Sequence, residues 1–302
     1  MNTKSGFVSI VGKPNSGKST LLNAILGEKL SIITNKPQTT RKRVLGILSD
    51  ENSQIIFLDT PGVLDPKYLL QEKMMEHVTK SVADSDIVLF LIDLEADPEA
   101  ATILNEPVFK NILEWKELQK ILILNKIDLS DEEKIGRILN DGNINKMFSY
   151  IIPASAKEKY NIDKILSSIK DMLPVHPKYY PDDQLSDEPE RFFVSEIIRE
   201  KIFEIYKEEI PYSAEVIIEE FYEREGRKDF IQAAVIVERE SQKGIIVGKN
   251  GDAIKKLGAL SRQDIEDFLQ REVYLDLRVK VRLNWRSSEK YLKSFGYTKF
   301  DE

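Results

Sequence analysis

No cysteine occurs among the 302 residues, which excludes disulfides, thiolate metal sites and cysteine nucleophiles. Imidazole is nearly as scarce. His77 and His176 are the only histidines, too few ligands for a zinc site. Long apolar runs are missing as well: the longest of note, residues 87–92, lies between Asp86 and Asp93, far short of the ~20 residues that cross a bilayer. The chain also lacks an excess of positive charge. Its 44 Lys and Arg against 51 Asp and Glu leave −7, so an overall basic coat for nucleic acid is excluded and any such contact must be local. The first residues, Met1 to Gly6, run straight into a strand-like segment, leaving no room for a signal peptide, and a cytoplasmic location is expected.

At ~150 residues per domain, the length suggests two domains. Up to about residue 174, short β-branched runs (7–11, 54–58, 87–92, 121–124 and 150–153) alternate with helical spacing such as Ile162, Ile165, Leu166 and Ile169. That alternation predicts an α/β domain over 1–174, a mostly parallel sheet with helices on both faces. Such sheets bind ligands at the carboxyl ends of their strands. Residues 175–190 carry Pro177, Pro181 and Pro189, five acidic side chains and no glycine, and read as a stiff, extended linker. Beyond it, Val194, Ile197, Ile198, Ile202 and Ile205 mark a helix. Strands over 214–222 and 230–240, a glycine-rich turn into helix, a helix near 261–269 and a last strand over 274–283 make 191–302 an α-β-β-α-α-β domain.

After the first strand comes Gly12-Lys13-Pro14-Asn15-Ser16-Gly17-Lys18-Ser19, then the helical Thr20-Leu21-Leu22. A G-x-x-x-x-G-K-S loop between strand and helix lets successive backbone N–H groups converge on phosphate oxygens at a helix N-terminus. Lys18 is placed to reach the β- and γ-phosphates and Ser19 to offer a hydroxyl to Mg²⁺. Asp59-Thr60-Pro61-Gly62 follows the strand 54–58. Its carboxylate is placed to hold Mg²⁺ and its Gly62 N–H to meet the γ-phosphate.

The base is read from Asn125-Lys126-Ile127-Asp128, which follows the strand 121–124. The Asp128 carboxylate accepts two hydrogen bonds from guanine, whereas adenine leaves it unpaired. Ser155-Ala156-Lys157 after the next strand offers a backbone N–H to guanine O6. The expected ligands are therefore GTP and GDP, with Mg²⁺.

These four motifs resemble those of translational-type GTPases across the first ~174 residues. The resemblance implies that Pro37-Gln38-Thr39-Thr40-Arg41 is the first switch, with Thr40 ligating Mg²⁺ when the γ-phosphate is present. Spacing alone does not separate Thr40 from Thr39. Ras-like enzymes orient the attacking water with a glutamine after the Asp-x-x-Gly motif; Val63 stands there in this chain. GTPases resembling this one use a monovalent cation held by the loop asparagine, which implies K⁺ stimulation through Asn15. Asn15 also fits a loop position that tolerates positive φ.

In the second domain, Gly248-Lys249-Asn250-Gly251 joins two helical segments. A G-x-x-G turn lets a nucleic-acid backbone approach closely, with Lys249 and Lys255 on phosphate and Ile246, Val247, Ile254 and Leu257 toward bases. The frame matches a KH domain of the prokaryotic type. Residues 241–302 carry a net +4, the local charge that the overall balance requires. Arg278, Lys280 and Arg282 share one strand face, suited equally to RNA contact or to solvent. Trp285, Tyr291, Leu292, Phe295 and Tyr297 are expected to pack against the second domain rather than on a membrane.

One such GTPase followed by one such KH domain resembles the Era-like family over essentially the whole chain, including residues 195–201 and 210–213. Ser16 and Asn250 stand where that family usually has valine and glycine. The resemblance implies a monomeric GTPase that binds the 3′ end of 16S rRNA, assists 16S rRNA maturation and assembly of the 30S subunit, and contacts the inner membrane peripherally. A scaffold whose second domain binds protein instead of RNA is the alternative the sequence leaves open.

Overall fold

A computed structural model describes residues 3–297; Met1, Asn2 and the tail from Thr298, which the sequence reading counts in its two domains, lie outside them. The elements run β1 (Lys4–Gly12), α1 (Lys18–Leu26), β2 (Val44–Ser49), β3 (Ser53–Asp59), α2 (Leu69–Ala83), β4 (Ile87–Asp93), α3 (Ala101–Asn105), α4 (Pro107–Leu113), β5 (Gln119–Asn125), α5 (Glu132–Leu139), α6 (Gly142–Asn145), β6 (Tyr150–Pro153) and α7 (Ile162–Met172). They continue with α8 (Glu190–Ile205), α9 (Ile210–Ser213), β7 (Glu215–Tyr222), β8 (Asp229–Val237), α10 (Glu240–Val247), α11 (Asp252–Leu269), β9 (Val273–Val281) and α12 (Glu289–Ser294). Contacts divide the chain into two units. The first holds the chain up to Ser31, Thr40–Asp65 and Met74–Asp187; the second holds Ile32–Thr39, Pro66–Lys73 and the chain from Glu188 onward.

In the first unit six strands form one sheet in the order β2-β3-β1-β4-β5-β6. All neighbours are parallel except β2, which pairs antiparallel with β3. The central strands are apolar on both sides because helices cover both faces. On one face Val8, Ile10, Phe57 and Ile123 pack with Leu21, Leu22, Ile165 and Ile169 of α1 and α7. On the other, Val11, Phe90 and Leu122 pack with Val78, Val82, Phe109 and Ile112. Strand order reverses around β1, so the loops after β1, β3, β5 and β6 gather at the carboxyl edge where α/β sheets take ligands.

The proline-rich segment after α7 is docked rather than free. The Gln54 Oε1 accepts from the Tyr179 and Tyr180 N–H groups at 2.8 and 2.9 Å. Ile47 N–H donates to the Leu185 carbonyl at 2.8 Å, and Tyr180 packs on Leu45, Ile47, Ile56 and Leu58. The Ile47 bond occupies part of an otherwise open sheet edge at β2.

In the second unit β7 pairs antiparallel with β8, and β8 pairs parallel with β9. Ile198 and Ile202 of α8, Ile246 of α10, and Leu257, Ile265 and Leu269 of α11 form one core with Ile231, Ala233 and Val235 of the sheet. The aromatic tail closes this core as expected. Trp285, Leu292 and Tyr297 are fully buried; Trp285 Nε1 donates to the Ser213 carbonyl at 2.9 Å and the Tyr297 hydroxyl to Glu215 at 2.6 Å.

Candidate nucleotide and RNA sites

The loop after β1 turns through two residues in the left-handed region, Asn15 at φ 65° and Gly17 at φ 97°. At Gly17 a side chain is also barred sterically, since a Cβ would sit 2.3 Å from Asn125 Nδ2. Lys13 and Asn15 are exposed, Pro14 is half-buried and Ser16 is buried. α1 then begins at Lys18 and carries Ser19 and Thr20 in its first turn, so free N–H groups face the loop.

Lys18 is buried, and its Nζ donates to the Gly12 and Lys13 carbonyls at 3.1 and 2.9 Å. Burial pushes its pKa down to about 8, partly opposed by the Asp59 carboxylate. The ammonium thus bridges two carbonyls of its own loop.

Ser19 Oγ donates to Asp59 Oδ2 at 2.7 Å and lies 2.9 Å from Thr40 Oγ1. Thr39 turns elsewhere, to the Lys36 carbonyl at 2.7 Å and to Thr34 Oγ1 at 2.6 Å. Three oxygen-bearing side chains from α1, β3 and the segment before β2 thus converge. Asp59 is fully buried, its Oδ1 has no hydrogen-bond partner among the described residues, and burial raises its pKa despite the bond from Ser19 and the charge of Lys18. An all-oxygen donor set with an orphaned carboxylate oxygen fits a hard dication such as Mg²⁺. Next to it, Thr60 Oγ1 donates to the Ile10 carbonyl at 2.7 Å. Pro61 and Gly62 are buried, and the Val63 N–H donates to the Gly12 carbonyl at 3.0 Å, fixing this turn against the phosphate loop.

The segments after β5 and β6 meet the same loop. Asn125 Nδ2 donates to the Ser16 carbonyl at 2.8 Å and its Oδ1 accepts from the Ala156 N–H at 2.9 Å. Ser155 is buried and its Oγ accepts from the Glu158 N–H at 3.1 Å, while Lys157 is exposed. Lys126, at φ 65°, forms an ion pair with Asp93 at 2.6 Å, and Asp128 is exposed in the short helical turn Ile127–Leu129. Sequence reasoning missed Asp93, whose place beside Lys126 comes from the parallel pairing of β4 with β5. A cavity of about 490 Å³ opens against Lys13, Pro14, Ser16 and Asp93.

In the second unit the turn between α10 and α11 holds Gly248 at φ 71°, Asn250 at φ 54° and Gly251 at φ 78°. A Cβ at Gly248 would meet Ala253 Cβ at 2.6 Å. Asparagine is a residue that accepts the left-handed region, which accounts for Asn250. Lys249 and Asn250 are exposed, as is Lys255 one turn into α11. Between α11 and β9 lies a cavity of about 360 Å³, lined by Ile254, Lys255, Arg262, Tyr274, Leu275 and Leu277 among others.

One expectation changes here. Ile246 and Leu257, read as groove residues, are fully buried in the core, because the helix face that carries them turns onto the sheet; Val247 remains half-buried. Arg278, Lys280 and Arg282 lie on the strand face opposite Leu277, Val279 and Val281, which pack on the core. Arg278 pairs with Asp276 at 2.7 Å and Lys280 with Glu219 at 2.5 Å, and Arg282 Nη1 donates to the Val281 carbonyl at 3.2 Å. The three thus share one strand face, as the sequence reading expected. Arg262, Tyr274, Leu275 and Leu277 are the cavity residues that spacing alone did not reveal.

Residues 7–126 match the family model described as 50S ribosome-binding GTPase, and residues 209–286 match the KH domain model. A curated relative, GTPase Era of Geobacter sp. (strain M21), is 45% identical over 294 residues, 97% of this chain and 98% of its own. Two solved structures each share 38% identity and cover 98% of this chain and 99% of their own. One is a point variant of Aquifex aeolicus Era bound to GDP·AlF₄⁻, with a TM-score of 0.90. The other is Era in complex with MgGDPNP and nucleotides 1506–1542 of 16S ribosomal RNA, with a TM-score of 0.92. Among the described residues no helix is long and apolar enough to cross a membrane.

Proposed function

The chain belongs to the Era family of GTPases, and on that premise we propose that it is a GTP-driven switch that binds the 3′ end of 16S rRNA through its second domain and assists 16S rRNA maturation and assembly of the 30S subunit. The observation that carries the nucleotide half is the convergence of Ser19, Thr40 and Asp59 within 2.9 Å contacts beside the phosphate loop. The RNA half is supported by the Gly248–Gly251 turn with Lys249 and Lys255 exposed beside a cavity, and by the rRNA held in the related Era complex. We place the protein in the cytoplasm as a monomer, with peripheral contact to the membrane. The proposed division is a GTPase domain over 1–174, a connecting segment over 175–190 and a KH domain over 191–302.

In the proposed chemistry, residues 12–20 wrap the phosphates with backbone N–H groups and Lys18 gives up its two carbonyl partners for phosphate oxygens. Ser19, Thr40 and Asp59 hold Mg²⁺, which when bound neutralises charge between the β- and γ-phosphates. Gly62 N–H meets the γ-phosphate, so hydrolysis withdraws the group that Thr40 and Gly62 sense. Asn125, Lys126, Asp128 and the 155–157 segment surround guanine. Val63 is apolar and buried, so water is oriented by backbone groups, and Asn15 would hold a K⁺ ion that would supply positive charge near the phosphates.

The decisive experiment is fluorescence anisotropy of the purified full chain with a 16S 3′-end RNA oligonucleotide, in GTP-analogue, GDP and nucleotide-free states at stated salt. The expected result is tight binding with the GTP analogue, lost when Lys249 and Asn250 are both replaced by Asp. Absence of binding in every state, with GTP hydrolysis intact, would turn the second domain into a protein-binding module.

A further inference from the structure

Three aromatic rings stand side by side on the outer face of the three-stranded sheet. Tyr222 of β7 pairs with Phe230 of β8, and Phe230 pairs with Tyr274 of β9. Their rings stack with centroids 6.3 and 5.9 Å apart and planes tilted by 20° and 12°. The Arg224 guanidinium lies 4.8 Å from the Phe230 centroid. Cross-strand aromatic pairs stabilise a sheet through the faces they cover. Here the two terminal rings nevertheless stay open: Tyr222 is 53% exposed and Tyr274 59%.

The two ends of the ladder differ in what lies beyond them. β7 and β9 are both edge strands in the order β7-β8-β9, so among the described residues no further strand sets a ring against the outward face of Tyr222 or of Tyr274. Tyr274 also borders the cavity between β9 and α11, where Lys255 and Arg262 supply cations and Ile254, Leu275 and Leu277 supply aliphatic walls. It is the aromatic side chain on that cavity. An unstacked nucleobase needs a flat apolar partner with phosphate-binding charge within a nucleotide's reach, and this edge offers both.

We propose that Tyr274 is a base-stacking residue, on whose outward face a base of single-stranded RNA lies as the fourth member of the ladder. The inference deepens the RNA-binding reading above and rests on it. Phe230 and the Arg224 guanidinium over it act as positioning residues that hold the Tyr274 ring before RNA arrives, so the ordering cost of that side chain is met in folding rather than in binding. Stacking of this kind is tolerant of base identity. Tyr274 therefore contributes affinity, while sequence preference comes from the aliphatic walls and the glycine turn.

The test is RNA anisotropy on the full chain with GTP analogue and Mg²⁺, using the single-stranded 16S 3′-end oligonucleotide over a series of salt concentrations. Tyr274→Ala is expected to weaken binding about 5- to 150-fold, the loss of one stacked base. Tyr274→Phe should bind like the parent. The dependence of log Kd on log salt should keep its slope, because no phosphate contact is removed. Tyr222→Ala breaks the ladder at the end remote from the cavity and controls for damage to the sheet; it should keep most of the affinity. Parental binding by Tyr274→Ala, or an equal loss in Tyr222→Ala, would overturn the proposal. A parent chain that binds no RNA in any nucleotide state would overturn the RNA reading itself, and the stacking role with it.

Discussion

Asn125 holds Ser16: its side-chain amide donates to the Ser16 carbonyl at 2.8 Å while its oxygen takes the Ala156 N–H at 2.9 Å. One buried side chain therefore ties the loop after β1 to the segment after β6. Asn125→Ala strands a buried carbonyl and a buried N–H, each costing about 1–3 kcal/mol. Affinity for fluorescent GDP should fall at least about tenfold and Tm should drop in the same variant. Unchanged affinity and Tm would show that the loop holds its shape without this clamp.

Asp59 is buried, raised in pKa, and has one oxygen without a partner among the described residues. A carboxyl whose folded-state pKa is raised costs folding stability at pH above its ordinary value. Asp59→Asn should raise the Tm of the nucleotide-free protein while removing the Mg²⁺-dependent part of GDP affinity. Thermal melts and GDP titrations with Mg²⁺ or with EDTA check both halves. A lower Tm in the nucleotide-free variant would mean that the carboxylate already stabilises the empty site.

Phosphate and guanine chemistry fixes the spacing of the expected motif residues against strand ends, and in the structure they stand at those ends; five strands of the first unit and all three of the second were legible from their apolar runs. β2 was missed. Gly46 interrupts its pattern, yet a Cβ there would lie 2.7 Å from Leu26 Cδ1, so the residue that hides the strand is the one that lets α1 pack on it. Asp93 and the Tyr222–Phe230–Tyr274 ladder were invisible for another reason: both depend on which strands are neighbours and in what register. Ile246 misled because apolar character beside a functional turn looks the same whether it faces a groove or the core. Only the helix's rotation against the sheet separates the two.

Asn15 sits at φ 65°, so backbone shape and cation binding are confounded in an alanine variant. Asn15→Gly keeps the conformation at little cost and removes the carboxamide. If the side chain holds K⁺, GTP hydrolysis by Asn15→Gly should proceed at the same slow rate in K⁺ and Na⁺, with GDP affinity unchanged. Phosphate-release assays in the two salts at equal ionic strength measure this. Full K⁺ stimulation in Asn15→Gly would leave Asn15 as a turn residue only.

Asp50 gives the first unit a pH-dependent tie. Burial disfavours its charge, but the Lys170 ammonium at 2.6 Å, Ser53 Oγ at 2.8 Å and the N–H groups of Asn52 and Ser53 outweigh that and hold its pKa well below the usual carboxylate range. A carboxyl with a depressed folded-state pKa binds fewer protons folded than unfolded. Its contribution is therefore complete above the unfolded value, near 4, and is lost as pH falls toward the folded one. Both partners of the Lys170 pair are over 40% exposed, so salt and solvent limit the effect to about 1 kcal/mol. Asp50→Asn should lower Tm at pH 6–7 by about 2–4 °C, and the gap between variant and parent should narrow as pH drops below about 4. A gap that stays constant down to the acid transition would mean that the turn's hydrogen bonds, which the asparagine oxygen can still accept, carry the whole of the stabilisation.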